Sequence, residues 1–239
     1  MEFKSIASSS AGNAYLATEE GSAPLLIDPG IRFNALLPAL GHDTAGLAGC
    51  LVSHQHGDHA QSAHNLAARG VPIYTSAECA AAIGIIWHGV TYLDHNEAVW
   101  IQGWRVLPWE AVHDVRCLGF AIESRRGDRL LYCTDSAYIP YRFSRLTHLA
   151  IAANYSEAIL AERVASGAMN PTHGERVLKC HMSIERVLTF LSVNDLSQLR
   201  EIHLLHLSDG NSDEAAFAEA VRRAAGVPVY VAAANTRRD

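Results

Sequence analysis

The sequence contains no run of about 18 apolar residues, so no membrane-spanning helix is read from it. It has no excess of positive charge: 19 Lys and Arg stand against 25 Asp and Glu, a formal charge of −6 with a pI near 6.1. That balance excludes the global basic footprint of a non-specific nucleic-acid binder, but not a local basic patch or phosphate capture by a bound metal. The five cysteines (Cys50, Cys79, Cys117, Cys133 and Cys180) are odd in number and scattered, with no C-x-x-C pair. A zinc ribbon and a dithiol redox motif are thereby excluded, and a reduced, cytoplasmic setting is expected. The opening Met1-Glu2-Phe3-Lys4-Ser5-Ile6 lacks the apolar stretch of a secretion signal. Also missing are a Pro/Ser-rich linker, a low-complexity tract and a Rossmann glycine motif, so residues 1–239 are expected to form one domain. The apolar share, 49%, is enough for a sizeable core without disulfides.

What the sequence does have is Ser53-His54-Gln55-His56-Gly57-Asp58-His59, three imidazoles and a carboxylate within six residues. Zinc, manganese and iron accept these side chains. The run Leu47 to Val52 ahead of them reads as a buried strand, and Ala60 to Arg69 after them reads as a helix ended by Gly70. His54 and His56 alternate, so in extended backbone they point the same way. Asp58 and His59 follow at a turn and can face a second point, a spacing that suggests two neighbouring metals.

Elsewhere, strands are expected over residues 2–7, 13–18 and 25–27, with the turn Ser8-Ser9-Ser10-Ala11-Gly12-Asn13 between the first two. Asp28-Pro29-Gly30 closes the third, and Asp28 is either a turn residue or a carboxylate that orients a metal-bound histidine. A helix over residues 31–40 is followed by a β-rich middle that includes residues 90–93, 98–101, 104–108, 118–123 and 129–133. Arg125-Arg126-Gly127-Asp128 reads as a hairpin tip. In the second half we expect a strand over 146–153, a helix from Ser156 to Ser166, a loop over 167–180 and a helix opened by Ser183 with Ile184, Val187, Leu188 and Leu191 on its apolar face. A strand over 201–205, a helix over 212–225 and a strand over 227–231 finish the chain, with an Arg-rich tail. Two β-layers with helices outside are expected.

A pair of metals about 3.5–4 Å apart requires about seven protein ligands. The histidine loop supplies four. His113, Asp135 and His206 each follow a buried-looking strand, where ligands are rigidly held, and complete the number. The remaining histidines, His42, His64, His88, His95, His148, His173 and His203, read as surface or core residues. The four tryptophans (Trp87, Trp100, Trp104 and Trp109) read as core or pocket wall.

These residues resemble the metallo-β-lactamase-fold hydrolase superfamily. His54-x-His56-x-Asp58-His59 matches its signature, and His113, Asp135 and His206 match its later motifs. The chain looks most like the YycJ (WalJ)-type branch, with tRNase Z and the phosphodiesterases as cousins. It does so through Ser8-Ser9-Ser10-Ala11-Gly12-Asn13, Thr134-Asp135-Ser136, Ala153-Asn154-Tyr155, His181-Met182-Ser183 and His206-Leu207-Ser208 with Asn211. The resemblance implies an α/β four-layer αββα sandwich and metal-dependent cleavage of phosphodiesters, exonuclease-like and in DNA. It also implies two divalent ions, Zn²⁺ first and Mn²⁺ as an alternative. One would take His54, His56 and His113, the other Asp58, His59 and His206, with Asp135 bridging.

By the same likeness Asp58 orients the attacking hydroxide, and His181 protonates the leaving oxygen. Asn13, Ser183, Ser208 and Asn211 are candidate contacts to phosphate or sugar. His181 directly precedes a helix start, which favours an anion nearby. The sequence departs from the branch at Ala152, where a Glu is usual; Glu157 follows on the next helix. A hydrolase of small esters, thioesters or lactones on the same metals is the alternative reading.

Overall fold

The computed structural model describes residues 1–86, 88–208 and 210–232. Trp87, Asp209 and the Arg-rich tail lie outside them. The chain divides into two compact units, one of Met1–Glu110 with Val115–Arg129, the other of Ala111–Asp114 with Leu130–Ala232.

The first unit carries a six-stranded mixed sheet in chain order: β1 (Glu2–Ala7), β2 (Ala14–Thr18), β3 (Leu25–Ile27), β4 (Gly49–Leu51), β5 (Ile73–Thr75) and β6 (Val90–Tyr92). The first three strands pair antiparallel, and β3 to β6 pair parallel. Parallel strands are buried on both faces and so read as continuous apolar runs. Leu25-Leu26-Ile27 and Gly49-Cys50-Leu51 are such runs, buried at every position. Between the strands lie α1 (Phe33–Ala39), α2 (Gly57–Ala60), α3 (Ala63–Ala67) and α4 (Ala77–Ala82). They bury Leu36, Ala63, Leu66 and Cys79 against Leu26, Cys50, Val52 and Ile73. An antiparallel ladder of β7 (Val99–Ile101), β8 (Trp104–Glu110) and β9 (Leu118–Glu123) completes the unit.

The second unit is built on β10 (Arg129–Cys133), β11 (His148–Ala152), β12 (Glu201–Leu205) and β13 (Val229–Val231), paired parallel in that order. Its helices are α5 (Glu157–Ala165), α6 (Pro171–Cys180), α7 (Ile184–Val193) and α8 (Glu214–Ala225).

Four sequence expectations need correction. The helix expected over residues 60–69 is two short ones, because Ser62 turns its backbone N–H to Pro29 and its hydroxyl to the carbonyl of Ile31. The loop expected over 167–180 is helical from Pro171. Asn170 caps it by accepting from the Thr172 N–H, and Pro171 occupies the first turn, where its missing N–H costs nothing. Gly174, inside that expected loop, is buried where α6 meets α5. A Cβ there would lie 2.9 Å from Val164 Cγ2. On α7, Phe190 rather than Leu188 joins Ile184, Val187 and Leu191 in the buried face. Trp104 and Trp109 are core residues as expected, whereas Trp100 is 71% exposed.

Candidate metal centre

In parallel α/β sheets, functional groups collect at the carboxyl ends of the strands. Both units follow this rule. In the first, the neighbouring strands β3 and β4 end in Asp28 and in Ser53-His54. In the second, β10, β11 and β12 run into Asp135, Asn154 and His206.

The first unit holds the histidine loop on a single buried carboxylate. Asp28 is fully buried, and three donors converge on it: Ser53 N at 2.7 Å to Oδ1, Ser53 Oγ at 2.8 Å and His59 Nδ1 at 2.9 Å to Oδ2. Since the Ser53 hydroxyl donates to Asp28, it is free to accept from His54 Nδ1, 3.0 Å away. One carboxylate thus orients His59 directly and His54 through Ser53, and in both rings it leaves Nε2 as the nitrogen available to a metal. Asp28 is therefore both turn residue and orienting carboxylate. Its φ of 51° is the left-handed conformation that Asp tolerates better than most residues.

The loop itself is gripped from below. The Asn13 backbone N–H donates to the Asp58 carbonyl at 2.8 Å, and the Asn13 amide lies 3.2 Å from that oxygen and 3.2 Å from His59 Nε2. Asn13 Oδ1 accepts from the Tyr15 hydroxyl. Gly30 passes so close that a Cβ would come within 1.7 Å of the Asp58 carbonyl. His54 Nε2 and His56 Nδ1 lie 3.0 Å apart, and Asp58 Oδ2 is 3.3 Å from His59 Nε2. Two ligands at metal–nitrogen distances of about 2.0–2.1 Å stand roughly 2.9–3.4 Å apart for right-angle to tetrahedral geometry. Donor chemistry and spacing both fit a divalent ion.

The second unit gathers three imidazoles around Asp135. His113 Nε2 lies 3.8 Å from Oδ2, while His181 Nδ1 at 3.6 Å and His206 Nε2 at 3.7 Å approach Oδ1. None of these gaps is a hydrogen bond. They are wider than the separation of two ligands closed on one ion, and they gather donors of metal-binding type around one carboxylate. The His181 ring stacks on His206 with centroids 5.5 Å apart and meets His113 at 5.9 Å. His113 Nδ1 donates to the Cys180 carbonyl at 3.0 Å, which leaves its Nε2 for a ligand. Burial lowers the pKa of His113, opposed by the nearby Asp135 and Asp114 carboxylates, so the ring is held neutral as a metal ligand must be.

Asn154 was visible in the sequence as part of a motif but without a role. Its N–H donates to the Met182 carbonyl, its carbonyl accepts from Ser208 N, and its amide nitrogen lies 2.9 Å from both His206 Nδ1 and the His206 carbonyl. It ties the segment carrying His181 to the loop carrying His206. It also satisfies His206, whose φ of 52° is left-handed without glycine's freedom. With Ala at 152, the carboxylate that stands beside His181 among the described residues is Asp135, 3.6 Å from Nδ1. Glu157 instead accepts from Ser183 Oγ at 3.0 Å, and Glu185 accepts from Ser156 Oγ at 3.1 Å, so the starts of α5 and α7 are cross-braced.

Of the expected substrate contacts, Asn13 and Ser183 are both fully buried and already engaged, Asn13 beneath the loop and Ser183 as the cap of α7. Asn211 donates to Ser208 Oγ at 3.0 Å, and its own Oδ1 is buried with no hydrogen-bond partner among the described residues. His203 pairs with Glu201 and stacks on Tyr230, away from the cluster.

Strand ends that present imidazoles with oriented tautomers beside carboxylates define a metal-binding α/β protein. A family model described as the beta-lactamase superfamily domain matches residues 24–188. The chain belongs to that superfamily and has the metallo-β-lactamase fold, α/β with two mixed sheets and helices, as expected. The metallo-β-lactamase fold protein YhfI from Bacillus subtilis superposes with a TM-score of 0.71 at 17% identity, covering 96% of this chain and 95% of that one. Igni18, a metallo hydrolase from the archaeon Ignicoccus hospitalis, gives 0.64 at 13% identity, over 96% and 94% of the two chains. The short form of human tRNase Z gives 0.63 at 13% identity, over 98% and 97%. No curated protein sequence matches the chain significantly. Among the described residues no helix is long and apolar enough to cross a membrane.

Proposed function

We propose that the chain is a dinuclear-metal phosphodiesterase of the YycJ type, a nuclease acting from a DNA end. In this reading it forms one working domain. His54, His56 and His113 hold one ion and Asp58, His59 and His206 the other, with Asp135 between them. Zn²⁺ suits the imidazole-rich set, and Mn²⁺ is an acceptable replacement. Bound ions of this kind supply hydroxide at neutral pH and neutralise charge on a phosphoryl centre.

The observation that carries the choice of substrate is His181. It is an imidazole beyond the ligand set, turned with Nδ1 toward Asp135 and stacked on His206. Its Nε2 is then the nitrogen that hands a proton to the departing oxygen, a step that an alkoxide leaving group needs. Asp58, steadied through Asn13, orients the attacking water and takes up its proton. Ser208 and Asn211 contact the phosphate or sugar, whereas Asn13 and Ser183 act from behind as supports. The five cysteines are free and buried, which supports a reducing cytoplasmic location.

The test is a panel of bis(p-nitrophenyl) phosphate, a 5′-phosphorylated DNA duplex and an aryl lactone, each with Zn²⁺ and with Mn²⁺. We expect turnover of the first two, loss of turnover in Asp58→Ala, and at least about a hundredfold loss in His181→Ala with metal content intact. Preference for the lactone, or an unimpaired His181→Ala, overturns the assignment.

A further inference from the structure

His113 faces two carboxylates. Its Nε2 is 3.8 Å from Asp135 Oδ2 but only 3.1 Å from Asp114 Oδ1. Asp114, the next residue in sequence, belongs to no ligand set described above. Near it lies Cys180, the last residue of α6, which already accepts the His113 Nδ1 proton on its carbonyl. Ligand atoms of His113, Asp114 and Cys180 all fall within 4.8 Å of one another. The three residues border a cleft of about 430 Å³, whose wall is continued by Thr172, Arg176 and Lys179 of α6. Arg176 binds the other oxygen, Asp114 Oδ2, at 3.1 Å and so leaves Oδ1 turned toward the imidazole.

We propose that His113, Asp114 and Cys180 form a third metal site, for a thiophilic divalent cation such as Zn²⁺ or Cd²⁺, that competes with the dinuclear centre for His113. The proposal rests on the assignment of His113 to that centre for its effect on activity, but not for the binding itself.

The argument is one of donor chemistry and spacing. A nitrogen and an oxygen 3.1 Å apart fit neighbouring positions on one zinc ion, whose bonds to both are about 2.0–2.2 Å. A thiolate as third donor selects zinc or cadmium over the hard ion Mn²⁺. Three protein ligands with a cleft on the open side leave room for water to complete the shell. The Cys180 thiol gives up its proton to solvent when the metal binds. Because a single Nε2 serves only one ion, occupation of this site withdraws His113 from the other. The chemistry therefore makes the enzyme self-limiting toward excess zinc, and indifferent to excess manganese.

The experiment titrates protein already holding two equivalents of Co²⁺ or Cd²⁺ with more of the same ion. Thiolate-to-metal absorption in the near ultraviolet is followed, and hydrolysis is assayed in parallel against rising Zn²⁺ and Mn²⁺. We expect the thiolate band to grow with the third equivalent. We also expect Zn²⁺, not Mn²⁺, to inhibit. Cys180→Ser should lack the band and need about tenfold more Zn²⁺ to halve its own uninhibited rate. Asp114→Asn, at the exposed edge of the site, should weaken inhibition in the same direction and serves if Cys180→Ser misfolds. No band in the wild type, a band that survives Cys180→Ser, or equal inhibition by Mn²⁺ overturns the proposal. If no phosphodiester is turned over, the band still decides whether the third site exists, so the two readings fail separately.

Discussion

Replacing Asp28 separates what holds the first unit together from what arms it. Three donors end on this carboxylate, all buried: the Ser53 N–H, the Ser53 hydroxyl and the His59 Nδ1–H. Asp28→Ala strands them. A buried unsatisfied donor costs about 1–3 kcal/mol, and the Ser53 hydroxyl recovers part of its loss by rotating, so roughly 3–5 kcal/mol of stability is lost. Asp28→Asn behaves differently. Its carbonyl keeps the bond from Ser53 N, while its NH₂ faces the Ser53 hydroxyl and His59. The hydroxyl turns to accept, and His59 accepts at Nδ1 only by moving its proton to Nε2. That is the nitrogen a metal needs. Asn is therefore expected to cost about 1–2 kcal/mol in stability but about 10–100-fold in metal affinity, the usual loss for an orienting partner. Urea unfolding of the metal-free protein measures the first, and competition with a chromogenic chelator the second. An Asp28→Asn variant that binds metal like the wild type would refute the view that this carboxylate sets the tautomers of His59 and His54.

Three further outcomes follow from the same geometry. Gly30→Ala places a methyl group within 1.7 Å of the Asp58 carbonyl, so the histidine loop must move; we expect more than about 2 kcal/mol of destabilisation by urea and loss of metal at Asp58 and His59. Asn154→Ala leaves His206 without the amide that holds its ring and its left-handed backbone; we expect loss of one of two bound metal equivalents by elemental analysis, with far-ultraviolet dichroism unchanged. His113 titrates below its ordinary value because burial disfavours the cation. The unfolded chain then binds the proton more readily, so this residue's contribution is complete above about pH 6.5 and is lost as the pH falls toward its folded value. His113→Gln is expected to flatten the metal-free stability profile just below pH 6.5, and a profile as steep as the wild type's would count against this.

The parts of the site that were legible in the sequence are those fixed by local spacing. His54-x-His56-x-Asp58-His59 needs only a strand ahead of it, which is where the apolar run puts it, and a tight chain reversal after it; Asp58 and His59, expected at a turn, stand in the short helix α2. Strand-end positions were legible too: Asp135 follows the apolar run Leu130 to Cys133, and His206 follows a strand whose Ile202, Leu204 and Leu205 are buried although Glu201 and His203 interrupt the run. Asp28 remained ambiguous for a different reason. Its partner Ser53 lies 25 residues away, and nothing local in Asp28-Pro29-Gly30 distinguishes a turn from a turn whose carboxylate points inward. Asn154 was harder still. Its four contacts reach Met182, His206 and Ser208, all on segments brought beside it only by the parallel pairing of β11 with β12 and by the bridge between Tyr155 and Ser183.

The misreading of α6 shows how a tertiary contact can invert a local signal. Pro171 and Gly174 within four residues usually punctuate a loop, and a glycine inside a helix costs about 1 kcal/mol against alanine. Here Pro171 sits in the first turn, where proline is favoured, and Gly174 occupies the point where Val164 of α5 leaves no room for a Cβ. The glycine's cost is offset by packing that the sequence does not display. The consequence reaches the chemistry, because α6 ends at Cys180 and His181 follows at once. Had residues 167–180 been a loop, the approach of His181 to Asp135 and of Cys180 to His113 would rest on a segment free to wander. A ten-residue helix, capped at Asn170 and packed on α5, fixes both. The absence of an acid at residue 152 then follows without strain: the ring beside Asp135 is placed by the helix that delivers it, and cross-bracing of α5 and α7 through Glu157 and Glu185 holds the turn on its far side.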